Sequence, residues 1–71
     1  MKKQSFYTLW LRIDGQELVR LIEDEPTFQI RFLAFKRAKE LLEENYYSHC
    51  TLIVRKITEG TRKCTQWEFR K

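Results

Sequence analysis

The sequence contains few of the residues that form long loops and few that form metal or redox sites. Its 71 residues include two glycines, one proline, two cysteines and a single histidine. So few glycines and prolines leave little room for long flexible connections. No run approaches the roughly 20 consecutive apolar residues of a membrane span, so a transmembrane segment is not expected. The segment MKKQSFYTLWLRID has a basic start, but it alternates with polar residues and lacks a small-residue cleavage site, so it is interpreted as a strand and not as a signal peptide.

Residues that could carry catalysis or bind a metal are also scarce. A zinc site would need His49, Cys50, Cys64 and a carboxylate, but the expected register places the two thiols apart, on opposite faces of a hairpin. The same placement argues against a disulfide, and adjacent residues on a strand point apart, so Cys50 is poorly placed to form a nucleophile–base pair with His49. No glycine-rich phosphate loop is present. We therefore expect no enzyme activity, no metal, no cofactor and no small-molecule substrate, and we interpret the cysteines as reduced packing residues of a cytoplasmic protein.

The composition is typical of one folded domain, which we expect to span residues 1–71. Hydrophobic residues make up 42% of the chain, and the aromatic residues comprise two Trp, three Tyr and five Phe. A core of this size contributes about 3–5 kcal/mol, so folds of this size often recruit a partner. The net charge is +4, from fourteen basic and ten acidic residues. That bias fits both ordinary solubility and nucleic-acid binding.

The apolar pattern predicts four strands and one helix in the order ββαββ. Asp14-Gly15 is a strong signal for a hairpin turn. Acidic residues around Pro26 are typical of a helix start, and apolar residues then recur at three- and four-residue steps, from Phe28 and Phe32 onward. The expected bounds are 5–13, 17–23, 51–58 and 63–70 for the strands and 26–45 for the helix. We therefore predict an α+β fold, with a four-stranded antiparallel sheet and one helix packed on one face.

The register of the hairpins decides which side chains share a face. A two-residue loop at Asp14-Gly15 would place Arg20 opposite Leu9, on the aliphatic face. A three-residue loop ending at a left-handed Gly15 instead pairs Leu9 with Val19, and this register is preferred because a one-residue slip exchanges the two faces of a strand. In the second hairpin, a Glu59-Gly60 turn is expected, which pairs Leu52 with Trp67 and Val54 with Thr65.

These registers predict two unlike faces. The aliphatic face, expected under the helix, comprises Tyr7, Leu9, Leu11, Ile13, Val19, Leu21, Leu52, Val54, Trp67 and Phe69. The opposite face combines aromatic, aliphatic and arginine side chains: Phe6, Trp10, Leu18, Ile22, Ile53, Ile57, Arg12, Arg20, Arg55 and Arg62. A single helix covers only one face of a sheet, and an uncovered apolar and basic surface usually marks a binding site.

The uncovered face predicts a non-catalytic protein that works by contact. Trp10 and Phe6 are the expected anchors, since aromatic residues and arginine are enriched at protein interfaces. The partner is a second copy of the chain, or a larger protein that this chain regulates or inhibits. The alternative is a nucleic-acid-binding module that uses the same face and the basic second hairpin. The ββαββ order resembles several unrelated small modules, including sheet-type DNA-binding arms and small phage accessory proteins, so a phage or mobile-element origin is one hypothesis.

Overall fold

The computed structural model describes residues 4–44, 47–62 and 64–70. It contains a four-stranded antiparallel sheet in the order β2-β1-β3-β4, with one α-helix between the second and third strands of the chain. The predicted α+β ββαββ fold is confirmed. The elements are β1 (Ser5–Ile13), β2 (Val19–Leu21), α1 (Arg31–Glu43), β3 (Cys50–Thr58) and β4 (Cys64–Phe69).

The core lies between α1 and one face of the sheet. Ala34, Ala38, Leu41 and Leu42 are the buried residues of the helix, and the two alanines allow it to approach the sheet closely. The helix packs mainly on β3 and β1 and touches β4 at its margin. The sheet side of the core consists of the buried residues Leu9, Ile22, Leu52 and Val54.

The helix begins later than predicted. It starts at Arg31, and Ile30, whose side chain has no hydrogen-bonding group, occupies the N-cap position. The predicted start near Pro26 is therefore wrong, and the predicted end at residue 45 lies outside the described residues. Phe32 was expected on the buried stripe but is 70% exposed. This follows from the helix orientation, because Phe32 lies roughly opposite the buried residues on the helical wheel.

The acidic segment before the helix has a different role from capping. Phe28 forms an antiparallel bridge with Tyr7, so the chain rejoins the edge of β1 before α1 begins. Glu25 is bound by Arg37 of α1 through two hydrogen bonds, of 2.6 Å from Nε and 3.0 Å from a terminal guanidinium nitrogen. These contacts with the Glu25 carboxylate raise the pKa of Arg37 above its ordinary value. The ion pair ties the connection between β2 and α1 to the helix.

The register of the first hairpin differs from the prediction. The turn forms at Asp14-Gly15, with Gly15 at φ +85°, as expected. Residues 16–18 then stay outside the ladder, and pairing resumes at Val19, opposite Arg12. This register is three residues away from the predicted one. An odd slip exchanges the faces, so Val19 and Leu21 lie opposite the helix while Arg20 lies on the helix side.

The second hairpin is also shifted, but by two residues. Val54 pairs with Trp67 and Leu52 with Phe69. An even slip leaves each side chain on its predicted face. Trp67 and Phe69 therefore lie on the helix side as expected, where both contact Phe35 at ring-centroid distances of 5.1 and 5.0 Å.

Candidate functional site

The candidate site is the face of the sheet opposite α1, which we call the open face. Its side chains come from all four strands, two residues apart along each strand because the side chains alternate. The registers place these residues on it: Phe6, Thr8, Trp10 and Arg12 of β1, Val19 and Leu21 of β2, Thr51, Ile53, Arg55 and Ile57 of β3, and Cys64, Gln66 and Glu68 of β4. Arg70, just after β4, continues the same alternation.

Trp10 lies at the centre of the open face, between Leu21 of β2 and Ile53 of β3. Its indole nitrogen donates a hydrogen bond to the Thr8 hydroxyl at 2.8 Å. The Arg55 guanidinium lies over its ring at 4.5 Å from the centroid, a cation–π contact that also fixes the ring plane. Trp10 is half-buried, so a large aromatic surface is held in place and remains partly accessible.

Two residues of β3 on the open face are buried without any help from α1. Ile53 and Thr51 both have 0% of their surface exposed. Trp10 and Glu68 are the direct cross-strand neighbours of Ile53, one on each side. Long side chains can cover apolar surface with their stems while their polar ends stay in water. The open face therefore shields its own central strand, and Ile53 supports the surface without being accessible itself.

Polar contacts tie the open face together across three strands. Arg12 donates a hydrogen bond to Glu68 at 2.8 Å, and this ion pair joins β1 to β4 across β3. Arg70 Nε donates to the Thr51 hydroxyl at 3.1 Å. Arg55 Nε donates to the Gln66 side-chain oxygen at 3.2 Å. Each of these three guanidinium groups thus has a partner within the fold, and the arginines order the surface as well as charging it.

The structure brings six of the eight sequence-predicted site residues together on the open face and leaves two elsewhere. The six are Phe6, Trp10, Arg12, Ile53, Arg55 and Ile57. Arg20 pairs with Leu11 on the helix side, which corrects its predicted position. It is tolerated there because β2 is an edge strand and the Arg20 side chain stays exposed. Arg62 lies in the exposed turn between β3 and β4, outside the strands.

Other residues were assigned to the wrong face or missed. Ile22 was expected on the open face but is buried in the core, 8% exposed, beside Leu9. Leu18 is 58% exposed in the loop before β2. Leu21, 46% exposed on the open face, was expected beneath the helix. Glu68 follows Trp67 in β4, and adjacent strand residues point to opposite faces, so the position of Glu68 on the open face could have been predicted from the sequence.

A shallow groove of about 590 Å³ adjoins the open face at the outer edge of β1. It is lined by Phe6 together with Gln4, Ser5, Thr27 and Gln29. Thr27 and Gln29 flank Phe28, which faces the helix side as the bridge partner of Tyr7, so their side chains alternate toward the open face. The groove therefore extends the accessible surface around Phe6.

The two cysteines lie on opposite faces of the sheet, as the expected register had placed them. Cys50 is on the helix side of β3 and Cys64 is on the open face, and both are free thiols. Burial and the nearby Asp14 carboxylate raise the pKa of Cys50. Among the described residues, no group of three or more His, Cys, Asp and Glu side chains could hold a metal ion. No described helix is long and apolar enough to cross a membrane.

Comparison of the chain with protein-family models, with curated proteins and with solved structures gave no match.

Proposed function

We propose that this protein is a non-catalytic binding module that docks another protein on the open face of its sheet. The observation that carries the proposal is the ordered, half-buried Trp10 at the centre of a sheet face opposite the helix. Tryptophan and arginine are the residue types most enriched among the dominant contacts of protein interfaces. Leu21 and the groove beside Phe6 add accessible surface around this anchor.

The charges of the open face favour a different protein over a second copy stacked face to face. Among the described residues of the open face, three arginines, Arg12, Arg55 and Arg70, accompany a single acid, Glu68. Two such surfaces packed together would bring like charges into a desolvated interface, which is unfavourable. A partner with aliphatic side chains opposite Trp10 and carboxylates toward Arg55 and Arg70, whose hydrogen-bond partners Gln66 and Thr51 are neutral, is complementary. The protein would then regulate or inhibit that partner by occupying its surface.

The nucleic-acid alternative has weaker support from the same contacts. Nucleic-acid-binding sheets stack bases on open aromatic faces and use free cations for phosphates. Here the Arg55 guanidinium occupies one face of the Trp10 ring at 4.5 Å, and Arg12 is neutralised by Glu68. The Glu68 carboxylate would repel phosphates at the centre of the surface. Arg62, which is exposed, lies beyond the strands.

The test uses two leucines with nearly equal exposure on different surfaces. Leu21 is 46% exposed on the open face, and Leu33 is 44% exposed on α1. Proteins captured from host lysates by immobilised wild type are purified, and their affinities for wild type, Trp10→Ala, Leu21→Ser and Leu33→Ser are measured by calorimetry. Truncation of an interface anchor such as Trp10 is expected to weaken binding by about 10- to 30-fold. Leu21→Ser is expected to weaken it less, and Leu33→Ser to leave it unchanged.

Leu21→Ser also guards against loss of folding, because the exposed leucine contributes little to the core. A captured protein that binds Trp10→Ala and Leu21→Ser as tightly as wild type would contradict the proposal. Labelled single- and double-stranded oligonucleotides are titrated in parallel at low and physiological salt. Binding that falls steeply with salt and that depends on Trp10 would establish the nucleic-acid alternative instead.

A further inference from the structure

A second interaction surface lies at the edge of the sheet and is independent of the proposed function. β4 is the last strand in the order β2-β1-β3-β4 and pairs only with β3 within the part of the chain that the structure describes. The backbone groups along its outer side are therefore available for pairing. Edge strands are commonly protected by proline, bulges or several charges. β4 reads CTQWEF, with no proline and a single charged residue, Glu68.

Half-buried aromatic side chains lie beside this edge, and a strand paired with β4 would remove more of their apolar surface from water. Trp67 and Phe69 of β4 stack edge-on against Phe35, at the margin of the helix. Arg31 reaches over this cluster, at 6.0 Å from the Trp67 ring centroid. Because α1 packs mainly on β1 and β3, the outer side of the cluster lies beyond the helix. A strand added to β4 would place side chains directly next to these rings.

Pairing of β4 with a second copy of itself obeys a strict geometric rule. Two antiparallel edge strands are related by a twofold axis perpendicular to the sheet, so both helices lie on the same side. Directly opposite residues must then share a face, and the residue numbers of each pair must sum to an even number. The axis therefore lies between one residue and the same residue of the second copy, and we name the axis by that residue.

Ladder length and side-chain type favour one register among these. An axis at Gln66 or at Trp67 pairs five residues of β4, more than an axis at any other residue of the strand, and an axis at Gln66 leaves Glu68 opposite Cys64. With the axis at Glu68, the two carboxylates oppose each other, which is destabilising. With the axis at Trp67, the pairs formed within β4 are Trp67–Trp67, Thr65–Phe69 and Gln66–Glu68. These pairs include no like charges, join aromatic with aromatic and β-branched side chains, and place the Gln66 amide opposite a carboxylate.

We infer that the chain forms a symmetric dimer through antiparallel pairing of β4 with β4 of a second copy, centred on Trp67. The result is a continuous eight-stranded sheet with both helices on one side. Both copies of the open face lie on the other side, where two partner sites are presented in one plane. The occupant of the edge is a second copy because the strand is complementary to itself in this register.

Substitutions at Gln66 test both the dimer and its register. Sedimentation equilibrium measures the dimer dissociation constant of wild type, Gln66→Glu and Gln66→Lys. In the proposed register, residue 66 faces Glu68 of the other copy twice, so glutamate weakens and lysine strengthens dimerisation, each by roughly 2- to 30-fold. If the axis passed through Gln66 itself, both charged variants would oppose their own copies and both would weaken the dimer.

Controls separate this edge from other surfaces. Gln16→Glu makes the same charge change in an exposed loop and is expected to leave the dissociation constant unchanged. Trp10→Ala alters the open face and is also expected to leave dimerisation unchanged, so failure of the partner site and failure of the dimer are distinguishable. A wild-type chain that remains monomeric at high micromolar concentration overturns the inference. So does equal weakening by Gln66→Glu and Gln66→Lys.

Discussion

Ile53 and Ile57 form a matched pair that tests whether the open face shields its own centre. Both are isoleucines of β3, four residues apart, and both lie on the open face. Ile53 is 0% exposed, whereas Ile57 is half-buried. If Ile53 were an accessible contact residue, its truncation would barely alter the stability of the free chain. The structure instead predicts a large loss of stability at Ile53 and a smaller one at Ile57.

The magnitudes follow from burial. Truncation of a buried isoleucine to alanine costs about 2–5 kcal/mol, depending on how far the surroundings collapse into the space. Glu68, one of the two cross-strand neighbours of Ile53, is an exposed side chain that can relax toward the space left by truncation, so we expect about 2–3 kcal/mol. Ile57 loses less buried surface, and about 1 kcal/mol is expected.

The assays are equilibrium urea unfolding and thermal unfolding, both followed by tryptophan fluorescence at a fixed low micromolar concentration. A small domain has only about 5 kcal/mol or slightly more of stability, so the alanine variant of Ile53 is accompanied by Ile53→Val and Ile57→Val. Ile53→Val should cost about 1 kcal/mol and lower the Tm by about 4–8 °C. Ile57→Val should shift the Tm by less than half of that amount. Equal losses at the two positions would refute the view that the open face buries its own central strand.

Two further predictions concern the connections on either side of β2. Glu25→Gln should destabilise the fold by about 1–2 kcal/mol in urea unfolding. This loss is smaller than that expected for a fully buried ion pair, because the Arg37 side chain is 35% exposed. The matched control Glu23→Gln should change the stability by no more than about 0.5 kcal/mol, and equal effects of the two variants would contradict a role for the ion pair. Deletion of residues 16–18 should leave the Tm within a few degrees of wild type, because these residues are exposed and lie outside the ladder. In the deletion variant, Gly15 at φ +85° ends a three-residue hairpin loop. Loss of the far-UV circular dichroism signal in this variant would show that the segment is required for folding.

The sequence was sufficient to predict the strands whose apolar pattern is unambiguous. β1 matches its predicted bounds, and the alternation of Leu9 with Trp10 correctly separated the core face from the open face. β3 is apolar on both sides, at Leu52, Ile53 and Val54, which is typical of a central strand. The order β2-β1-β3-β4 was not predicted, because the apolar pattern does not show which strands lie beside β3.

The start of the helix was not predictable in this way, because the acidic residues that usually mark a helix start make a tertiary contact here instead. Acidic residues before Pro26 are typical of a helix N-terminus. In the fold, Glu25 is instead recruited by Arg37, twelve residues away, and Phe28 bridges to Tyr7. Nothing in the local sequence distinguishes a carboxylate that caps a helix from one that binds an arginine twelve residues further along the chain.

The two hairpins show why the composition of the open face was predicted better than its register. An error of two residues in the second hairpin changed every partner but kept each side chain on its face, whereas an error of three in the first hairpin exchanged Arg20 with Leu21. The correct first register buries Ile22 and Phe28 against the core, and α1 leaves β2 uncovered, so Arg20 remains in water there. A register that places Arg20 on the aliphatic face is rejected from the sequence because a charge is unfavourable there. That reason applies only to a strand that the helix covers, and α1 does not cover β2. Because most of the open face comes from β1, β3 and β4, whose alternation is fixed by the core, the error at β2 replaced a predicted arginine with a leucine and left the tryptophan centre intact.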